Sequence, residues 1–184
     1  MYDVLIIRYG EIGLKGQNKN SFIGQLIKNI DNAVTDLGDF EITTVYGRIY
    51  LHVDGEILEK VIERLVNVPG IVSISPAVTV KFEFESLKNN ALTLFKKEVQ
   101  DYPTTFKVNT RRADKSFPLK SPEINSEIGA CILRNVDGPE RELNVDVHNP
   151  EHMLEVEIRR GKIYIFIKRF AGPGGLPVKS SGKA

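Results

Sequence analysis

The residues best suited to chemistry in this 184-residue chain are cations rather than nucleophiles. Between Phe106 and Lys120 the sequence sets Lys107, Arg111, Arg112, Lys115 and Lys120 against one acid, Asp114. Arginine forks and lysine ammoniums match the oxygens of a phosphate, and backbone N–H groups at a helix start add a further anion site. The segment is expected to be a strand running into a basic loop that ends where a helix begins. Within it, Asn109 has the groups to read a base edge and Phe117 a ring that could stack on a base. The plainer reading is a solvated charged loop with Phe117 tucked into the core. A second run, 159–169, holds Arg159, Arg160, Lys162, Lys168 and Arg169 with no acid. It either extends the same surface or is ordinary hairpin polarity around Arg160-Gly161-Lys162.

Groups that could break bonds are scarce. Cys131 falls on the apolar stripe of its helix and reads as a core residue. His148 and His152 have the spacing of metal ligands on a helix, but Pro150 breaks that helix, and no cysteine or carboxylate cluster completes a site. His52 is isolated, and Glu123 and Glu127 share what should be a solvent-facing helix side. Gly10 to Gly16 joins a strand to a helix, yet it lacks the four-residue spacing and Gly-Lys-Ser/Thr ending of a phosphate loop. The tail Ser181-Gly182-Lys183-Ala184 fails likewise, with Pro177 where the first glycine should be. The residues therefore assign no catalytic group, no metal site and no cofactor site.

The elements that must carry the cations follow from periodicity. The fold class is α+β. Val4 to Ile7 reads as a buried strand, and Phe22, Leu26, Ile27, Ile30, Val34 and Leu37 as an amphipathic helix closed by Gly38. Strands at 42–45 and 49–53, joined through Tyr46-Gly47, precede a helix over 57–66 and a strand from Ile71. That βαββαβ order fits a ferredoxin-like unit over residues 1–76, with two helices on one sheet face. Residues 77–170 form a second α/β unit. It has a helix over 87–99, a strand around 106–108, a helix from 121, then strands near 143–147, 154–158 and 163–167. Ser121-Pro122-Glu123 predicts that helix start, with Ser121 as the cap. The first unit carries 7 Lys+Arg against 10 Asp+Glu and the second 16 against 14, so the positive charge sits in the back of the chain. Glycine, proline and serine fill 8 of the positions 171–184, which reads as a linker. No run is long and apolar enough for a membrane span, and one cysteine with no signal peptide suggests a cytoplasmic protein.

Three segments together carry a resemblance. They are Arg8-Tyr9-Gly10-Glu11-Ile12-Gly13-Leu14-Lys15-Gly16, the Thr110-Arg111-Arg112-Ala113-Asp114-Lys115 loop with Phe117-Pro118, and Gly174-Gly175-Leu176-Pro177 with Ser180 to Ala184. In this order and spacing they resemble the front of the tRNA 4-thiouridine synthetase family, the tRNA sulfurtransferases that also serve thiamine biosynthesis. The resemblance covers essentially the whole chain. It implies a ferredoxin-like domain, then a THUMP domain that holds the tRNA acceptor end, then a linker at 171–184 to a PP-loop ATP-pyrophosphatase domain. That last domain would use ATP and Mg to adenylate a uridine and would take sulfur from a cysteine desulfurase. Its Ser-Gly-Gly-x-Asp-Ser loop and sulfur-handling cysteines are not in these residues, so this chain alone is expected to be inactive.

The RNA contacts expected are Lys107, Asn109, Arg111, Arg112, Lys115 and Lys120, extended by Arg159, Arg160, Lys168 and Arg169. Lys15 and Lys19 are secondary candidates. The expected partners are tRNA, the desulfurase, and a second copy in a homodimer, with no membrane. Two other readings stay open. One attaches the same module to a tRNA methyltransferase or pseudouridine synthase. The other is a ligand-binding or dimerisation module with no RNA.

Overall fold

The computed structural model describes residues 1–10, 17–45 and 47–177, and no described helix is long and apolar enough to cross a membrane. Its order is β1 (Val4–Tyr9), α1 (Gln17–Val34), a short 3-10 turn (Thr35–Leu37), β2 (Ile42–Val45), β3 (Arg48–His52), α2 (Leu58–Leu65) and β4 (Ile71–Val80). Then come α3 (Phe84–Glu98), β5 (Thr104–Arg112), α4 (Ser121–Val136), β6 (Leu143–Val145), β7 (His152–Arg159), β8 (Lys162–Phe166) and β9 (Phe170–Ala171). The chain forms two compact units. One comprises residues 1–77 with 168–184, and the other residues 78–167.

The first unit has the expected βαββαβ order, with an antiparallel sheet ordered β2-β3-β1-β4. Alternation along β1 turns Leu5 and Ile7 toward the helices, where they pack with Leu26, Ile30, Val61 and Leu65 at 2% exposure or less. Arg8 is buried, and its Nη1 donates to Ser75 Oγ at 3.0 Å and Ser73 Oγ at 3.4 Å on β4. The glycine-rich loop expected at Gly10–Gly16 lies outside the described residues beyond Gly10, as does Tyr46 of the expected hairpin turn.

One element departs from the expected linker. Phe170 and Ala171 form β9, which pairs antiparallel with Ile74 and Ser73 of β4. The following residues stay on the same unit. Gly172 N donates to Val72 O at 2.9 Å, Gly174 N to Ile71 O at 2.7 Å, and Gly70 N to Gly174 O at 2.8 Å. A side chain at Gly172 would put its Cβ 2.3 Å from the Ile71 carbonyl oxygen, so glycine is needed for this approach. Residues 171–177 are thus an edge of the first unit; residues 178–184 lie outside the described residues.

The second unit is a sheet in which β8, β7, β5 and β6 follow one another, with residues 78–80 of β4 on the outer side of β8. β5 pairs parallel with both β7 and β6, and β7 antiparallel with β8. A parallel neighbour needs a crossover, and α4 supplies it between β5 and β6. Phe106, Val108, Leu154 and Val156 turn toward Leu94 and Phe95 of α3 and Ile128 and Ile132 of α4, all buried. Phe95 meets Phe106 edge-on at 5.0 Å.

Candidate nucleic-acid interface

The basic segment starts on β5, whose burial alternates strictly. Phe106, Val108 and Thr110 point to the helices, which leaves Lys107, Asn109 and Arg111 on the opposite face. β5 is longer than expected, running on to Arg112, because it stays paired with β7 as far as Arg112↔Ile158. Past its end, Ala113 N and Asp114 N both donate to Ile158 O, at 2.9 and 3.1 Å. The loop is therefore tied to the sheet where it leaves it.

Three further ties give the loop its shape. Arg112 Nη1 donates to the carbonyls of Phe117 at 3.0 Å and Leu119 at 3.2 Å. The Phe117 ring is 1% exposed and meets Phe82 edge-on at 5.1 Å. It belongs to the core, so base stacking by Phe117 is corrected to an anchoring role. Asp114 forms the third tie. Its Oδ1 accepts from Ser116 N at 3.0 Å and Ser116 Oγ at 2.6 Å, and its Oδ2 from Gly161 N at 2.7 Å. These bonds, led by that from the Ser116 hydroxyl, hold the Asp114 carboxyl below its ordinary value. The loop delivers the chain to α4, where Glu123 accepts from Lys120 N at 2.7 Å. Lys120, with extended φ and ψ, is the cap, and Ser121 is the first helical residue rather than the cap.

The expected RNA contacts separate into groups. Arg111 is exposed near the end of β5, Lys115 and Lys120 are exposed on the loop, and Arg160 is exposed at the β7–β8 turn beside Lys162. The turn itself is a left-handed pair, Arg160 at φ 45° and Gly161 at φ 72°, which suits a two-residue hairpin. The Asp114–Gly161 bond brings the loop and this turn together. Other candidates are already engaged. Lys107 Nζ donates to Val147 O at 3.3 Å, and Asn109 Nδ2 donates to Glu155 Oε2 at 2.9 Å. Arg159 lies 3.9 Å from Glu157. Lys168 and Arg169 are exposed but fall in the first unit, as does half-buried Lys19, and Lys15 lies outside the described residues.

A groove of about 410 Å³ runs between α4, the middle of β5 and the end of β6. Gly129 and Ala130 line it, Val145 and Val147 border it at 49% and 55% exposure, and Lys107 stands at its edge. Among the described residues no three His, Cys, Asp or Glu side chains are placed to hold a metal. His148 is exposed in a loop, and His152 opens β7 with its Nε2 3.0 Å from Asp101. Cys131 is buried in the α4 stripe.

A sheet with a basic loop leading into a crossover helix, preceded in the chain by a βαββαβ domain, makes this a two-domain α+β protein with one basic surface. Two family models match it in tandem: a ThiI ferredoxin-like domain over residues 4–75 and a THUMP domain over 81–168. The chain belongs to the family that joins these two domains, the ferredoxin-like and THUMP region of the tRNA sulfurtransferases. It is 50% identical over 184 residues to a probable tRNA sulfurtransferase of Halothermothrix orenii and 48% identical to one of Alkaliphilus metalliredigens. It covers 46% of each of those proteins, so it spans about half the length of the curated relatives it matches. Among solved structures it is similar to a 4-thiouridine synthetase in complex with RNA and bound ATP, at 37% identity and TM-score 0.84, covering all of this chain and 45% of that one. PH1313 from Pyrococcus horikoshii matches at 38% identity and TM-score 0.83 over 97% of this chain and 58% of that one. TrmN from Thermus thermophilus, at 17% identity and TM-score 0.56, shares the fold.

Proposed function

We propose that this chain is the tRNA-holding part of a tRNA 4-thiouridine synthetase and that its second unit grips the acceptor end. The observation that carries this is the tying of two basic segments, the 111–120 loop and the 160–162 turn, into one exposed surface with a single carboxylate whose oxygens are turned inward onto donors. Guanidinium and ammonium groups presented this way neutralise phosphates without reading sequence. The apolar groove beside Lys107 suits unpaired terminal bases, which rest on non-polar side chains when they leave a stack. The 37% identical 4-thiouridine synthetase solved with RNA supports the same reading.

In the whole enzyme we assign ATP- and Mg-dependent activation of a tRNA uridine, and sulfur delivery from a cysteine desulfurase, to the half of the relatives' length that this chain does not span. The thiamine role and the cytoplasmic setting belong to that same reading. The test is binding of this chain to unmodified tRNA, to tRNA lacking its unpaired 3′ nucleotides, and by an Arg111→Ala plus Lys115→Ala variant. Weaker binding in both comparisons is expected. Equal affinity for the shortened tRNA would move the grip away from the acceptor end, and an unaffected double variant would reject the basic loop as the contact.

A further inference from the structure

Asp114 is the one acid in the basic loop, and a carboxylate there should repel the phosphates that its neighbours attract. Its geometry gives it a different task. One oxygen holds Ser116, two residues on, through both the backbone N–H and the hydroxyl. The other reaches across to the N–H of Gly161 at the β7–β8 turn, at 2.7 Å. Gly161 has φ 72°, and at the strand end nearby Ala113 N and Asp114 N donate to Ile158 O. Arg112 secures the far side of the same loop through the Phe117 and Leu119 carbonyls.

We propose that Asp114 is a positioning residue for RNA binding: its carboxylate clips the 113–120 loop to the 160–161 turn, so that Arg111, Lys115, Arg160 and Lys162 meet RNA as one prearranged surface. Its loss weakens binding even though it removes a negative charge from that surface. The inference rests on the tRNA-binding reading above and adds a role that charge counting alone would assign with the opposite sign. Ordering flexible side chains at the moment of binding lowers affinity, and a surface already ordered avoids that loss.

The sign makes the test decisive. Binding to unmodified tRNA is measured at fixed moderate salt for the wild type, Asp114→Ala, Asp114→Asn and Ser116→Ala, beside Arg111→Ala plus Lys115→Ala, with folding checked by thermal melting. Asp114→Ala is expected to bind about three- to tenfold more weakly. Asp114→Asn should fall between it and wild type, because one oxygen still accepts while the charge is gone. Ser116→Ala, which leaves the charge intact, should also weaken binding. If charge alone matters, Asp114→Ala and Asp114→Asn bind equally, both more tightly than wild type, and Ser116→Ala binds as wild type. That pattern overturns the proposal. Should Asp114→Ala fail to fold, the Asn and Ser116 variants carry the same opposed outcomes. A double variant that binds as wild type would instead reject the basic loop as the tRNA contact. The clip then keeps its own readout, since the Gly161 amide proton must shift and exchange faster in Asp114→Asn. An unmoved Gly161 amide overturns it.

Discussion

Raising salt should weaken tRNA binding by an amount that the exposed cations of the second unit set in advance. Five of them are exposed near the end of β5, on the loop and at the turn: Arg111, Lys115, Lys120, Arg160 and Lys162. Each phosphate neutralised releases counterions and contributes about −0.7 to −0.9 to the slope of log affinity against log salt. If all five meet phosphates, the slope is about −3.5 to −4.5, and a rise from about 50 to 200 mM costs roughly 100- to 500-fold in affinity. Replacing Arg111 and Lys115 by alanine leaves three contacts, a slope of about −2 to −2.7, and a loss of only about 20- to 40-fold over the same range. Arg112→Ala should behave differently. Its Nη1 is engaged by two carbonyls, so affinity should drop while the slope changes by less than one contact's worth. Fluorescence anisotropy with labelled tRNA across a salt series reads all three slopes. A wild-type slope near zero, or one that the double variant leaves intact, would refute the phosphate-binding argument.

Other consequences concern the frame around that surface. Phe117→Ala should destabilise the chain by about 3–5 kcal/mol in urea unfolding, because it empties a buried site against Phe82. A variant of unchanged stability that merely lost RNA affinity would restore the stacking role. Gly172→Ala should cost about 1–3 kcal/mol, since its Cβ would meet the Ile71 carbonyl at 2.3 Å. Gly129→Ala, inside α4 with nothing within 4 Å of the added carbon, should gain about 0.5–1 kcal/mol, and the same direction for both glycines would contradict the steric argument. Asp114 has its carboxyl held below 3.8, chiefly by the Ser116 hydroxyl and then by the N–H groups of Ser116 and Gly161. A depressed value means the clip is complete above the unfolded carboxylate's range and is lost as pH falls through the folded value. An NMR titration of the Gly161 amide should show a midpoint under 3.8, and one at or above it would contradict the bond.

Much of the architecture is legible because both periods are clean. The 3.6-residue stripe of α2 and the alternation of β5 follow directly from where the core lies, and the βαββαβ order follows from their sequence. Roles that depend on a distant partner are not legible. Ala171 followed by Gly-Pro reads as linker, and Phe170 as the end of the second unit, because their pairing partner, β4, is far away in the chain. Lys107, Asn109 and Arg112 share a charge or polarity pattern with Arg111, yet what their donors reach depends on Val147, Glu155 and the Phe117 and Leu119 carbonyls. Asp114 reads in the sequence as the one acid of a basic run, and its bond to Gly161 lies with a residue far along the chain. The Asp-x-Ser spacing was the available signal, since such a pair commonly closes a side-chain-to-backbone turn.

The pairing of β9 with β4 also constrains the order in which this chain can mature. Strand β4 emerges from synthesis with residues 71–74 bare on the side away from β1, and the segment that covers them is made only after the whole second unit. A nascent ferredoxin-like domain therefore waits with an open strand edge, a template onto which other chains can add. The guard that arrives is itself brief, two paired residues followed by Gly172 and Pro173, and so offers little edge of its own for further pairing. A cut placed at the end of the THUMP unit, natural as it looks from domain boundaries, would leave the first domain permanently unguarded and prone to aggregate.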